Sequence, residues 1–335
     1  MTTTTATRSL QLSRLRGLTW VTWRQHRTAL AGVGALMAAA GILLVASGTV
    51  MRTTYARLGL DSCGDMTGRA CQTSLFAFQQ QYQTWAQILP ACLMLIPGLI
   101  GAFVGAPLIA RELESGTFRF AWTQSRRRAR LVLVKLALLG CVLTALALGF
   151  SLLFGWWFRL WQPLMGRMSM GGAYEVSGLV FAARTLFAFL LGALLGALIR
   201  RTVMAVAATA TAWLAVVWSS TVYLRPLIKD PLVLNAGFHS ADGWTLRSWV
   251  QDNAGHRFDV KSTQFIDLVN KARQQGATSQ KSLEAWLAEH HYTEWDAYQP
   301  GSRYWHFQLT EAAAYVLLAL LLGAVTTWWV RRRAA

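Results

Sequence analysis

Two carboxylates two residues apart, Glu112 and Glu114, lie in the stretch Arg111–Lys135, just ahead of a turn at Ser115-Gly116-Thr117 and a basic run of Arg126, Arg127 and Arg128. In this arrangement the residue types suit electrostatic recognition and not bond-making. A short element bearing both signs of charge fits a specific groove on another protein. The same residues also read as a helix end held by Glu–Arg pairs, each worth about 0–1 kcal/mol at a surface.

Other candidate chemistry is thinner. There is no G-x-x-x-x-G-K-[ST] loop to cradle phosphates, so ATP hydrolysis is not expected of this chain. His290 and His291 stand near Glu289, Glu294 and Asp296, a set from which a zinc site is conceivable. No H-E-x-x-H or paired C-x-x-C spacing supports it, and neighbours on a helix point in different directions; the expectation is no metal. No G-x-S-x-G elbow suggests a hydrolase. Cys63 and Cys71 close a short ring as a disulfide or remain two free thiols; the disulfide is preferred and would contribute ~2–3 kcal/mol. Cys92 and Cys141 read as small apolar residues. Arg184, about a turn into an apolar stretch, either contacts an anionic substrate or snorkels to lipid headgroups.

These residues must be positioned by a membrane fold. Of 335 residues, 54% are hydrophobic and 14% charged. A bilayer core of roughly 30 Å takes about 20 apolar residues as helix, and six stretches qualify: 29–51, 86–110, 131–158, 178–199, 202–224 and 312–330. With the N-terminus inside, the cytoplasmic segments are 1–28, 111–130 with Lys135, 200–201 and 331–335. They hold 17 of the 32 Lys/Arg but two of the 15 acids. The net charge of +17 is thereby explained by the positive-inside bias and attraction to anionic lipid, which removes the case for nucleic acid. The first apolar stretch starts too late and runs too long for a cleavable signal. Trp20 and Trp23 with Arg24 and Arg27 suit an interfacial helix over 1–28 leading into the first span. Trp156, Trp157, Arg159 and Trp161 read as an aromatic belt.

Pro90, Pro97 and Pro107 punctuate the second span as either a moving hinge or a static kink. Gly101/Gly105 and Gly192/Gly196 are small-xxx-small patterns that permit close helix approach. An insertion over 225–310 carries nine basic and nine acidic residues. Phe265, Leu268, Val269 and Ala272 follow helical spacing, as do Leu283, Trp286, Leu287 and His290. A helical extracellular cap is expected there, broken at Gly276–Ser279.

The Glu112-x-Glu114-x-Gly116-Thr117 pattern, followed by Gln124 and Arg126–Arg128, resembles the type-2 family of ATP-binding-cassette transporter permeases. Leu18–Arg27 and Tyr298–Gln308 are similar to segments of an actinobacterial set within it. The insertion is longer than in minimal members. The resemblance implies a coupling element at 111–130, with Glu112 and Glu114 meeting a separate ATPase subunit, Gly116 and Thr117 forming the turn, and Arg126, Arg127 and Arg128 anchoring or docking. It implies ATP and Mg on that partner and no cofactor in this chain, a second permease chain as a homodimer, and export. It also implies motion of the first, second and fifth spans around a pathway at the dimer interface.

The expectation is an all-α polytopic protein of the plasma membrane, with six transmembrane helices, a helical extracellular insertion and both termini cytoplasmic. Its segments are 1–28, 29–224 with the coupling loop, 225–310, and 311–335 with the last span and a basic tail. The function expected is a permease subunit exporting a hydrophobic or amphipathic substrate such as a drug, peptide or lipid. The alternative is a non-transporting membrane sensor or scaffold that binds ligand through the 225–310 cap.

Overall fold

A computed structural model describes residues 3–63, 69–114, 125–168, 172–235 and 243–333; of these, 3–23, 25–26, 69, 125–129, 163, 280–281 and 333 are described by backbone alone. The chain forms two compact units. One comprises Met1–Leu160, Gly171–Ser220 and Gln308–Ala335, the other Trp161–Met170 and Thr221–Phe307.

Among the described residues six helices are long and apolar enough to cross a membrane: Arg27–Arg57, Ala70–Glu114, Arg130–Phe158, Gly178–Ile199, Thr202–Leu227 and Gly301–Arg332. As helices, these first to sixth spans pair most of their backbone groups within themselves, as hydrocarbon requires. The first belongs to a helix that runs unbroken from Thr3 to Arg57, because no proline or capping signal interrupts it. Its Leu30, Val33, Met37, Leu44 and Met51 are buried at helical spacing. The Trp157 indole N–H donates to Ser47 Oγ at 3.0 Å, and the Arg52 guanidinium lies 4.5 Å from the Trp156 ring. Trp157 is therefore a core residue and not part of a belt, since the third span turns it toward Ser47 while Trp156 stays half-exposed.

Apart from Arg184 and Thr185 the fourth span is apolar on every side, and it is the most enclosed of the six. Against it packs the second span, which is not one regular helix. A helix over Arg69–Leu93 ends four residues before Pro97, whose ring clashes with the carbonyl at that distance. A short helix, Ile96–Ile100, follows; then comes a π-turn, Gly101–Gly105, and a final helix, Ala106–Glu114. Pro107 lacks the N–H that Phe103 would receive in a regular helix, which favours the wider turn. Here the two glycine patterns meet. A Cβ on Gly192 would fall onto the Gly101 carbonyl and within 2.7 Å of the Ala106 nitrogen, and one on Gly101 would strike Ala188.

Cys63, after the first span, and Cys71, in the first turn of the second, are disulfide-bonded with Cα atoms 6.1 Å apart. Replacing both by serine is expected to remove about 2–3 kcal/mol by freeing the unfolded loop. Thermal melts of wild type and variant in one detergent, with and without reductant, check this; a wild-type melt unmoved by reductant contradicts it.

The other unit corrects an expectation. The insertion is not helical throughout: β1 (Leu232–Asn235), β2 (Trp244–Gln251), β3 (Arg257–Asp259) and β4 (Thr293–Gln299) form an antiparallel sheet ordered β1-β4-β2-β3. The expected helical stripes do form, as Thr263–Gln274 capped by Ser262 and Gln280–Glu289 opened by a Ser279/Ser282 capping box. Leu268, Ala272, Trp286 and Leu287 are buried with Val250 of β2, backed by Phe265, Leu283 and Tyr292. The strands hide because two have three or four residues, and a register shift between Thr245 and Arg247 breaks the alternation of the long one.

Candidate functional site

The last two turns of the second span place Ala106, Ala110 and Glu114 at four-residue intervals on one face. Ala106 and Ala110 are buried against Ala205 of the fifth span, with Ile199 and Val206 around them. One turn further along the same face, Glu114 Oε2 accepts from the Thr202 backbone N–H at 2.9 Å and from its hydroxyl at 2.6 Å. The carboxylate thus caps the N-terminus of the fifth span, where the helix dipole favours negative charge.

Glu112 faces elsewhere. Two residues on a helix are about 200° apart, and Glu112 Oε1 accepts from Lys135 Nζ of the third span at 2.5 Å. The side chains are 34% and 16% exposed, so the pair is worth on the order of 0–1 kcal/mol. Neighbours in sequence, the two carboxylates are divided between two spans. Gly116 and Thr117 lie outside the described residues. Arg126, Arg127 and Arg128 begin the helix Ser125–Phe158, with only their backbone described.

A second polar cluster lies within the spans, and it corrects the headgroup reading of Arg184. Arg184 Nη2 donates to Glu311 Oε1 at 2.5 Å, with the two side chains 2% and 4% exposed. The guanidinium also lies 5.3 Å from the Tyr315 ring centre. The apolar stretch 312–330 leaves Glu311 just ahead of it, but the helix begins at Tyr304, about two turns earlier. Both side chains are enclosed by packed helices, so each charge is compensated by the other across the helix interface.

One turn before Glu311, buried Gln308 accepts from Val180 N–H at 3.0 Å and donates to the Tyr174 and Ser177 carbonyls, each at 3.2 Å. It caps the fourth span from the sixth. The local N-cap, Ser177, instead turns its hydroxyl back to the Ala173 carbonyl at 2.7 Å. Sequence reasoning missed Gln308, Glu311, Lys135 and Thr202. A signal for Glu311 and Arg184 was available: opposite charges beside two apolar stretches.

Among the described residues no three His, Cys, Asp or Glu side chains converge to hold a metal ion. His290 stacks on Trp286 at 4.0 Å. Burial holds Glu294 above the ordinary carboxylate range, with Glu284 and Asp296 adding like-charge repulsion. Asp252 is held below that range, chiefly by its hydrogen bond with His256.

Comparison with known proteins agrees with this architecture. No curated protein matches the chain. A family model described as ABC-2 membrane transporter related matches residues 34–225, more than half the chain and all of the first five spans except their margins. Six spans, the broken second span packed on a central fourth, and that match make this a multi-pass membrane protein, and the chain belongs to the ABC-2 membrane transporter related family.

Proposed function

We propose that the chain is the permease subunit of an ATP-driven exporter, working with a separate ATPase and a second copy of itself. The family match across 34–225 carries the reading. The motor docks on the 111–130 loop through Arg126, Arg127 and Arg128, with Gly116 and Thr117 shaping the turn. ATP and Mg bind the motor. Both termini face the cytoplasm in the plasma membrane, a topology supported by the collection of 17 of 32 Lys/Arg with two acids on that side. The Cys63–Cys71 bond fits a loop on the oxidising side. The substrate class is hydrophobic or amphipathic (a drug, peptide or lipid) in keeping with the tryptophan-rich outer segments.

Affinity purification in mild detergent with mass spectrometry tests this. A stoichiometric ATP-binding-cassette ATPase is expected with the wild type, and it should be lost when Arg126, Arg127 and Arg128 are changed to Glu. Recovery of the chain alone under several detergents overturns the reading. It would favour a membrane sensor or scaffold, for which the insertion's own sheet-and-helix core is the supporting observation.

A further inference from the structure

We propose that Glu114 is a transmission residue and not a motor contact: as a remote N-cap, it makes the end of the second span and the start of the fifth move as one body. This rests on the permease-and-motor reading above.

The turn between the fourth and fifth spans has no means of capping the fifth span itself. Its N-cap position is Arg201, in extended conformation, whose guanidinium has donors but no acceptor. Arg200 before it takes a left-handed conformation, φ 61°, and its N–H closes the fourth span on the Gly196 carbonyl. That two-residue turn is used up in ending one helix and beginning the next. The acceptor comes from Glu114, 88 residues earlier, in two bonds to Thr202. Both are charge-assisted, and both hold one residue of the fifth span to one residue of the second. The alanine contact of Ala106 and Ala110 with Ala205 keeps the helices close enough for this reach. On the opposite side Glu112 holds the same final turn to Lys135 of the third span. A displacement delivered at the end of the second span therefore reaches the fifth through Glu114 and the third through Glu112.

Hydrogen exchange on the purified chain in lipid nanodiscs, with no motor present, tests the cap. In Glu114→Ala the amides of Thr202 and Ala205, which donate to Glu114 and to the Arg201 carbonyl, should exchange roughly tenfold faster, while Glu114→Gln, which keeps an acceptor, should stay within about twofold of wild type. Thr202→Val, which keeps the amide but loses the hydroxyl, should fall between them. The second arm uses the co-purified ATPase with ATP and Mg. Nucleotide should alter exchange in the first turns of the fifth span in wild type and in Glu114→Gln. In Glu114→Ala the ATPase should remain bound and hydrolyse ATP, but that response should vanish. Unchanged exchange in Glu114→Ala overturns the proposal, and so does loss of the ATPase from that variant, which would make Glu114 a docking residue. Absence of any ATPase from the wild type removes the motor reading and the transmission with it; the exchange arm still decides the cap.

Discussion

Glu311→Ala is expected to lose about 3–5 kcal/mol of stability, because it leaves the Arg184 guanidinium charged and buried without its carboxylate. In detergent this corresponds to a fall in melting temperature on the order of 10 °C, read by fluorescence-detected gel filtration after heating. Arg184→Ala should cost less, since a lone Glu311 can take up a proton whereas a guanidinium does not lose one. Replacing both at once, Arg184→Met with Glu311→Leu, should recover most of the loss, because an apolar pair of similar volume avoids the cost of burying two charges. A Glu311→Ala protein melting with wild type would mean that the pair does not hold these spans. The effect should be seen at any nucleotide concentration, which separates it from the Glu114 cap.

The second large effect lies at the crossing of the second and fourth spans. Gly192→Leu should abolish a monodisperse folded protein, and even Gly192→Ala should cost about 1–3 kcal/mol. What a new Cβ meets is backbone: the Gly101 carbonyl, with the Ala106 nitrogen 2.7 Å away. Backbone cannot swing aside as a side-chain tip can. The control is Gly149→Ala in the third span, where nothing lies within 4 Å of the added atom. That change removes a helix-weakening glycine and should be neutral or slightly stabilising. If Gly192→Ala and Gly149→Ala melt alike, the close backbone approach is not what joins these spans. The Pro97 break and the π-turn aim the Gly101–Gly105 segment at this crossing, so the proline-punctuated sequence has a packing consequence whichever way the span moves.

Legibility varied with how local each determinant is. The helices Thr263–Gln274 and Gln280–Glu289 were readable from Phe265, Leu268, Leu283 and Trp286, since a 3.6-residue stripe is visible within one window. The sheet beside them was not. Its β1 and β3 are too short to show a period, and the irregular register at Thr245–Arg247 spoils the period of β2. Glu112 and Glu114 read as one charged cluster on the line of sequence, yet helical geometry sends them to Lys135 and Thr202 on different spans. Arg184 judged alone offered headgroup or substrate; with Glu311 known it is half of a buried pair.

The class of molecule is written along the linear chain: six membrane-spanning helices and a charge distribution from which an orientation can be argued. Insertion depends on apolar content summed over about 20 consecutive residues, a quantity written along the chain. Polar pairing, by contrast, is fixed across the fold. Thr202 finds its cap 88 residues away, and Arg184 finds its carboxylate 127 residues away. For the buried Arg184–Glu311 pair a low-dielectric surrounding makes pairing obligatory, whereas the exposed cap on Thr202 answers an open helix end. Which partner arrives is settled only when the helices have packed.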